Sequence, residues 1–386
     1  MQKVQLKDIL YLQNGYAFKS NCFNQEKTGM PLIRISNIQE NLVSLNDLVW
    51  IKNENVPNKD FYVSKGDLLI AMSGATTGKM GVYKGDMECL LNQRVGKFCI
   101  KENNEIHRDF VITVLLSGLI QEEIVASSAG GAQPNISSKT IEKISIPLPS
   151  LPEQKRIAEI LSNIDYLIDI LKLEISKFEK LKNANLEKFI NESLEKGTKI
   201  CALSKLVKLS QGLQVDLDNQ KSQKGLSKIR FIRIIDYTQN DIPRYVDKPE
   251  GEKGLVNSDD VVMVRYGASA GLVCRGIDGI IANNLFIVKP LGKLTKEYIF
   301  YFLSSNRMQN EIRKLALSSA MPALNFNSIN SLKILVPPIN QQLKISNLMN
   351  SFEDNIVFRR KKLEKVKSLK ISISQDLLSG RKRVLN

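Results

Sequence analysis

Two kinds of hydrophobic pattern alternate along the chain. Short apolar runs come first: LIRIS, DLLIAMS and VGKFCI, then FIRII, VVMVRY and LFIVK in the second half. Gly, Asn, Asp and Pro break them up, so they predict strands. One helical patch interrupts each set, DFVITVLLSGLIQEEI in the first half and KEYIFYFLSSNRMQNEIRKLAL in the second. A long helical pattern then closes each half. In the first, Ile157, Ile160, Leu161, Ile164, Leu167, Ile168, Leu171, Ile175, Phe178 and Leu181 recur at three- and four-residue steps. In the second, Ile345, Met349, Phe352, Ile356, Leu363, Val366, Ile373 and Leu377 recur at steps of three, four or seven. Pro152 and Pro338 stand at the starts, where a missing N–H costs nothing. Each pattern runs about 40 residues without an internal proline, near 60 Å of helix. A polar-backed stripe of that length suits a coiled coil, and two in one chain most simply bury each other.

The two halves are copies. PLIRISNI (Pro31–Ile38) is answered by RFIRIIDY (Arg230–Tyr237), and GDLLIAMSGATTG (Gly66–Gly78) by DDVVMVRYGASAG (Asp259–Gly271). LNQRV (Leu91–Val95) is echoed by ANNLF (Ala282–Phe286), and AQPNIS (Ala132–Ser137) by PALNFN (Pro322–Asn327). The pairs keep one order while their spacing shortens, which marks one fold with different loops. With Gly197 ending the first long helix, the expected segments are 1–151, 152–196, 197–336 and 337–386. The predicted class is α+β: two pseudo-repeated mixed α/β domains and two long helices that pair as a coiled coil.

Composition narrows the chemistry. The chain has 386 residues, 43% hydrophobic and 25% charged, which excludes a mostly disordered polymer. Its formal net charge of +15 points to a polyanionic partner, nucleic acid or an acidic protein face. Since His107 is the only histidine, Ser-His-Asp and Cys-His catalysis and multi-His metal sites all hang on one residue. Its setting in ENNEIHRDF predicts exposure. The five cysteines (Cys22, Cys89, Cys99, Cys201, Cys274) never form C-x-x-C, which fits reduced thiols in a cytoplasm. The start MQKVQLKDIL lacks the apolar core of a signal peptide. The most apolar stretch, FVITVLLSGLI, is far shorter than the ~20 residues of a membrane span. A soluble, cytoplasmic, basic protein is expected.

Enzymatic motifs fail on detail. SGATTGKM (Ser73–Met80) is like a phosphate-binding loop, but has three residues between Gly74 and Gly78 and Met80 where Ser or Thr should be. Its partner YGASAGLV has no lysine, so both read as Gly-rich turns between strands. Glu153-Gln154-Lys155 has the E-x-K form of a nuclease site, but no Asp occurs between Asp109 and Asp165 to complete it. What remains is donor-rich loop chemistry. Asn92, Gln93 and Arg94 have Asn283 and Asn284 in the matching place, and Arg265 and Tyr266 flank the second Gly turn as Ser73 flanks the first. Gln133 and Asn135 sit in a Gly/Pro loop, with Asn325 and Asn327 opposite. Arg, Asn and Gln can make bidentate contacts to guanine or adenine edges, although in turns they more often satisfy local backbone groups.

Two divergent strand-rich modules, each followed by a long helix, the first opening LPEQKRIAEIL (Leu151–Leu161), are similar to a known family. With KGDLLIAMSG (Lys65–Gly74), the IRISNI run and the closing QDLLSGRKRV (Gln375–Val384), the chain resembles the specificity (S) subunit of type I restriction–modification enzymes over essentially its whole length. The second helix departs, with Asn340-Gln341-Gln342 where the first has Pro152-Glu153-Gln154. The resemblance implies two target-recognition domains, each reading half of a split site in double-stranded DNA. It also implies that the two long antiparallel coiled-coil helices form a spacer that docks two methyltransferase (M) subunits, joined by two restriction (R) subunits. S-adenosylmethionine, and ATP with magnesium, then belong to those partners, and this chain carries no cofactor, no metal and no catalytic residue. Candidates for DNA contact are Ser73, Thr76, Thr77, Lys79, Gln93 and Arg94 in the first module, and Arg265, Tyr266, Arg275, Asn283 and Asn284 in the second. Candidates for partner docking are Glu153, Gln154, Arg156, Gln341, Gln342 and Lys344. A coiled-coil scaffold for acidic proteins, or the recognition subunit of a methyltransferase-only or solitary restriction system, are the alternatives.

Charge is a poor witness to any of this. Residues 1–151 carry a net +1, 152–196 a net −1, 197–356 a net +7 and 357–386 a net +8. Two equal DNA-binding modules would not divide the surplus so unevenly.

Overall fold

The computed structural model describes residues 2–384 except Gln25, 102–104, 128–134, Asn240, Glu250 and 317–321, and without the side chains of Gln2, Asn53 and Leu119. The chain divides into two compact units, Met1–Ile170 with Leu363–Asn386, and Leu171–Lys362. Each long helix therefore contributes part of its length to each unit.

In the first unit a six-stranded sheet runs in the order Leu10–Asn14, Val95–Ile100, Leu68–Ala71, Met80–Val82, Asn41–Val43, Ile38–Gln39. Beside it lies a five-stranded sheet, Phe23–Asn24, Val49–Ile51, Met30–Ile33, Cys89–Leu91, Tyr62–Val63. A short antiparallel pair, Gln2–Gln5 with Ser145–Leu148, ties the two ends of the module together. The second unit repeats the plan with four-stranded sheets, Val207–Gln211, Leu285–Pro290, Val262–Val264, Val273–Cys274, and Arg244–Asp247, Lys228–Ile232, Gly279–Ile281, Leu255–Val256. Its closing pair is Ile200–Ala202 with Lys333–Leu335. The fold is α+β with a duplicated module, as the repeat predicts.

Each predicted helical patch is two helices. Arg108–Leu115 and Gly118–Ala126 are split at Ser117, and Lys296–Ser304 and Asn306–Ala316 at Ser305. Both serines adopt extended backbone angles, and each hydroxyl donates to the carbonyl three residues back, Val114 or Phe302. Such a local side-chain bond competes with helix continuation.

The long helices span Leu151–Glu195 and Ile339–Leu378. In the first unit Asp165 pairs with Lys370 at 2.6 Å. In the second, Glu174 pairs with Arg359, Glu179 with Arg360, and Lys182 with Glu353. As one number of each pair rises the other generally falls, which is antiparallel packing. Between the polar flanks, Leu171, Ile175, Leu186 and Ile190 on one helix and Ile345, Met349 and Ile356 on the other are buried, and Arg359 stacks on Phe178 at 4.1 Å. Exposed ion pairs contribute ~0–1 kcal/mol each, so burial of the stripe carries the pairing. Leu167 and Leu181, expected on the stripe, are 37% and 42% exposed. Each lies one helical step to the side of the row that closes. Part of the surplus charge of the last 30 residues is thus matched by acids of the first helix.

What fixes each helix to its module is a buried glutamine. Gln154 is fully enclosed; its Oε1 accepts from the His107 N–H at 2.8 Å and its Nε2 donates to the carbonyls of Glu105 and Pro149. Gln342 repeats this with the Thr295 N–H at 2.9 Å and the carbonyls of Lys293 and Pro337. Next to the first anchor, Glu153 is 3% exposed and held by a two-pronged bond from Arg383 at 2.7 and 2.6 Å, with the Val384 N–H as a third donor. The Arg383 guanidinium holds the Glu153 carboxyl below its usual range.

Two expectations follow. Gln342→Ala leaves a buried N–H and two carbonyls without partners and should destabilise the second module by about 2–4 kcal/mol, read as a lower denaturation midpoint. Since the folded carboxyl of Glu153 titrates lower than the unfolded one, its stabilisation is complete above the unfolded value and is lost as pH falls through the folded value. Glu153→Gln should therefore unfold at lower denaturant than the wild type near neutrality, with the gap closing as the pH falls through the carboxylate range.

Candidate nucleic-acid interface

The two Gly-rich turns have one backbone. In the first, between Leu68–Ala71 and Met80–Val82, Gly74 and Gly78 take φ values of +82° and +81°. In the second, Gly267 and Gly271 take +82° and +92°. Side-chain-bearing residues disfavour that region, so each glycine is required by the turn. The Gly78 N–H donates to Ala71 and the Gly271 N–H to Val264, both at 2.9 Å. No loop for cradling phosphate remains; the turns close on themselves.

A second loop is brought beside each turn by backbone bonding. The Met72 N–H donates to the Arg94 carbonyl and the Ile136 N–H to the Met72 carbonyl, each at 2.9 Å. In the second module the Arg265 N–H donates to Asn284 and the Leu324 N–H to Arg265, again at 2.9 Å. These bonds set the true register. Arg94 is answered by Asn284 and Gln93 by Asn283, one step from the sequence pairing LNQRV/ANNLF. Ile136 is answered by Leu324, so Ser137, not Asn135, matches Asn325. The helix caps agree: Ser137 accepts from the Thr140 N–H, and Asn325 from the Ser328 N–H. The close approach behind the loop needs a glycine in both modules. A Cβ on Gly15 would lie 2.1 Å from the Asn92 carbonyl oxygen, and one on Gly212 2.2 Å from that of Ile281.

The first module thereby gathers Ser73, Gln93, Arg94 and Asn135 around an open cleft of about 670 Å³, joined by Asn14 and Lys139. The Ser73 hydroxyl oxygen is buried there without a partner among the described residues. Gln93 and Arg94 are exposed. The threonines serve the turn itself: Thr77 Oγ1 donates to the Gly74 carbonyl and Thr76 Oγ1 to that of Ile35. Lys79 points to solvent. Gln133 lies outside the described residues.

The second module fills the same place differently. Arg265 is fastened, its Nε donating to the Leu324 carbonyl at 3.2 Å and its guanidinium stacked on Tyr266 and Phe326 at 4.8 and 5.7 Å. Tyr266 is 39% exposed. Asn283 donates through Nδ2 to Gln214, while the Asn284 Oδ1 is buried without a partner among the described residues. Arg275 is elsewhere. Its guanidinium lies against Phe300 and Tyr301 and donates to the Tyr301 hydroxyl at 2.9 Å and to Asn350 Oδ1 at 3.0 Å on the second long helix. Burial pushes the Tyr301 phenol up to about 12, so it stays a donor to Asn350. Arg275 joins a strand to a helix and does not face the turn.

Among the docking candidates, Glu153, Gln154 and Gln342 bond inward, whereas Arg156, Gln341 and Lys344 are exposed. His107 is half-buried, contrary to expectation, because its N–H caps onto Gln154; its Nδ1 has no partner among the described residues. Sequence reading missed Asn14, Lys139 and Gln214. Nothing local distinguishes them, since a strand end, a short helix and a loop carry them to the site only in the folded module. Among the described residues no group of three or more His, Cys, Asp and Glu gathers as a metal site would, and no helix is long and apolar enough to cross a membrane. Among the five cysteines there is no disulfide.

Comparison with known proteins agrees with this architecture. The family model of the type I restriction modification DNA specificity domain matches twice, at residues 1–180 and 197–368. A putative type I restriction enzyme MjaX specificity subunit from Methanocaldococcus jannaschii is 26% identical, covering 98% of this chain and 93% of its own. The MjaVIII specificity subunit of the same organism is 24% identical over 89% of this chain and 85% of its own. The crystal structure of a type I restriction-modification S subunit from M. genitalium superposes with a TM-score of 0.67 at 16% identity, covering 98% of this chain and 96% of that one. With the duplicated module, the paired helices and two matches to the family's domain, the chain belongs to the specificity (S) subunits of type I restriction–modification systems.

Proposed function

We propose that each module reads one half of a bipartite site in double-stranded DNA, through the surface formed by its Gly turn and the loop beside it. The observation that carries this is the repetition of one backbone constellation with different side chains: Ser73, Gln93 and Arg94 in the first module, Tyr266, Asn283 and Asn284 in the second. Two readers of different half-sites need a common scaffold and unlike edges. The exposed faces of the long helices, with Arg156, Gln341 and Lys344, dock two methyltransferase subunits, which two restriction subunits join in the cytoplasm. S-adenosylmethionine, and ATP with magnesium, act on those partners, and this chain supplies recognition without chemistry of its own.

The test is to purify the chain with its methyltransferase subunit and map the adenines that become methylated. Two short motifs at a fixed separation are expected, and methylation by the chain alone, or a target that is not split, would overturn the proposal. Inserting about seven residues into both helices, near Leu171 and Leu363, adds about 10 Å of helix. The gap between half-sites should then lengthen by about three base pairs, at roughly 3.4 Å per step. An unchanged gap would show that the helices are not the ruler.

A further inference from the structure

The two modules differ most where their backbones agree best. Arg94 and Asn284 occupy one position, each offering its carbonyl to the residue before the Gly turn. Among the described residues the Arg94 guanidinium has no hydrogen bond, ion pair or ring contact, and it lines the open cleft beside Gln93, Asn135 and the unpartnered Ser73 hydroxyl. In the second module Asn284 stands there with its amide oxygen turned in, and the nearby cation, Arg265, is held by the Leu324 carbonyl and by stacking. A free guanidinium over a cleft and a fastened one are chemically different instruments.

We infer that Arg94 is the specificity-determining residue of the first module, contacting the major-groove edge of a guanine, and that the second module makes no such contact at the equivalent place. This rests on the DNA-recognition reading above. Guanine alone presents two adjacent acceptors, O6 and N7, in the major groove, and the planar fork of Arg matches them. Adenine places an amino donor against that fork and is rejected. Lys139, on the wall of the same cleft, carries a flexible point charge better suited to phosphate.

The experiment uses the complex of this chain with its methyltransferase subunit and duplexes altered one guanine at a time. 7-Deazaguanine removes N7, whereas inosine keeps N7 and O6 and loses only the minor-groove amine. One guanine in one half-site should be sensitive: 7-deazaguanine there should weaken binding by about 5- to 150-fold, and inosine should be tolerated. Arg94→Gln should lose preference at that base with no further loss from 7-deazaguanine, and Arg94→Lys should not restore it. Unchanged preference at the other half-site serves as the control for folding. The inference is overturned if 7-deazaguanine is tolerated at every position. Equally, if Arg94→Gln weakens all duplexes alike and lowers the salt dependence by about one unit, Arg94 is a phosphate contact. A wild-type complex without any bipartite preference would sink the recognition reading itself, an outcome distinct from both.

Discussion

Gln154 and Gln342, two buried carboxamides, join each long helix to its module in this protein. Each sits one turn inside a long helix and satisfies one N–H and two carbonyls of the module it closes, so the helix start and the module form one hydrogen-bonded body. Leaving such groups unpaired in a dry site costs far more than a surface bond returns. The neighbouring residue is free to vary between the copies. Glu153 is clasped by Arg383, while Gln341 at the matching place faces solvent. The departure of the second helix from the opening pattern of the first therefore spares the one residue that matters to both.

The same division between constant backbone and variable edge runs through the modules. Turn glycines, the close approach at Gly15 and Gly212, and the carbonyls of Arg94 and Asn284 are shared because backbone geometry demands them. Elsewhere the copies diverge by compensated steps. Asp236 is buried in the second module against Arg233 and Arg230, where the first keeps Arg34 in the place of Arg233 but has neutral Asn37 and Pro31 in the places of Asp236 and Arg230. A buried carboxylate without those guanidiniums would be costly, so the charge and its partner differ together.

Much of this architecture was legible along the chain. The duplication, the strand class and the two long helices follow from period and order, because apolar spacing reports directly on which face is buried. The Gly turns were legible too, since three residues between glycines and no Ser or Thr after the lysine exclude a phosphate loop. The count of one histidine confined any histidine-dependent catalysis to His107. At the level of single side chains less was legible. Gln154 and Gln342, offered as docking residues, bond inward; Arg275, offered as a DNA contact, bonds to the second long helix; and Leu167 and Leu181, expected on the buried stripe, are partly exposed.

Sequence alone determined the repeat, the helical pairing and, through the opening of the first long helix, the family, because these depend on patterns many residues long that tolerate local error. Tertiary structure decided which polar side chains are free. Whether Arg94 lines a cleft while Arg265 is bound to a carbonyl depends on strand register, and a shift of one residue would turn each side chain to the other face. Register is set by backbone hydrogen bonds between segments far apart in the chain, and no local pattern of side chains records them.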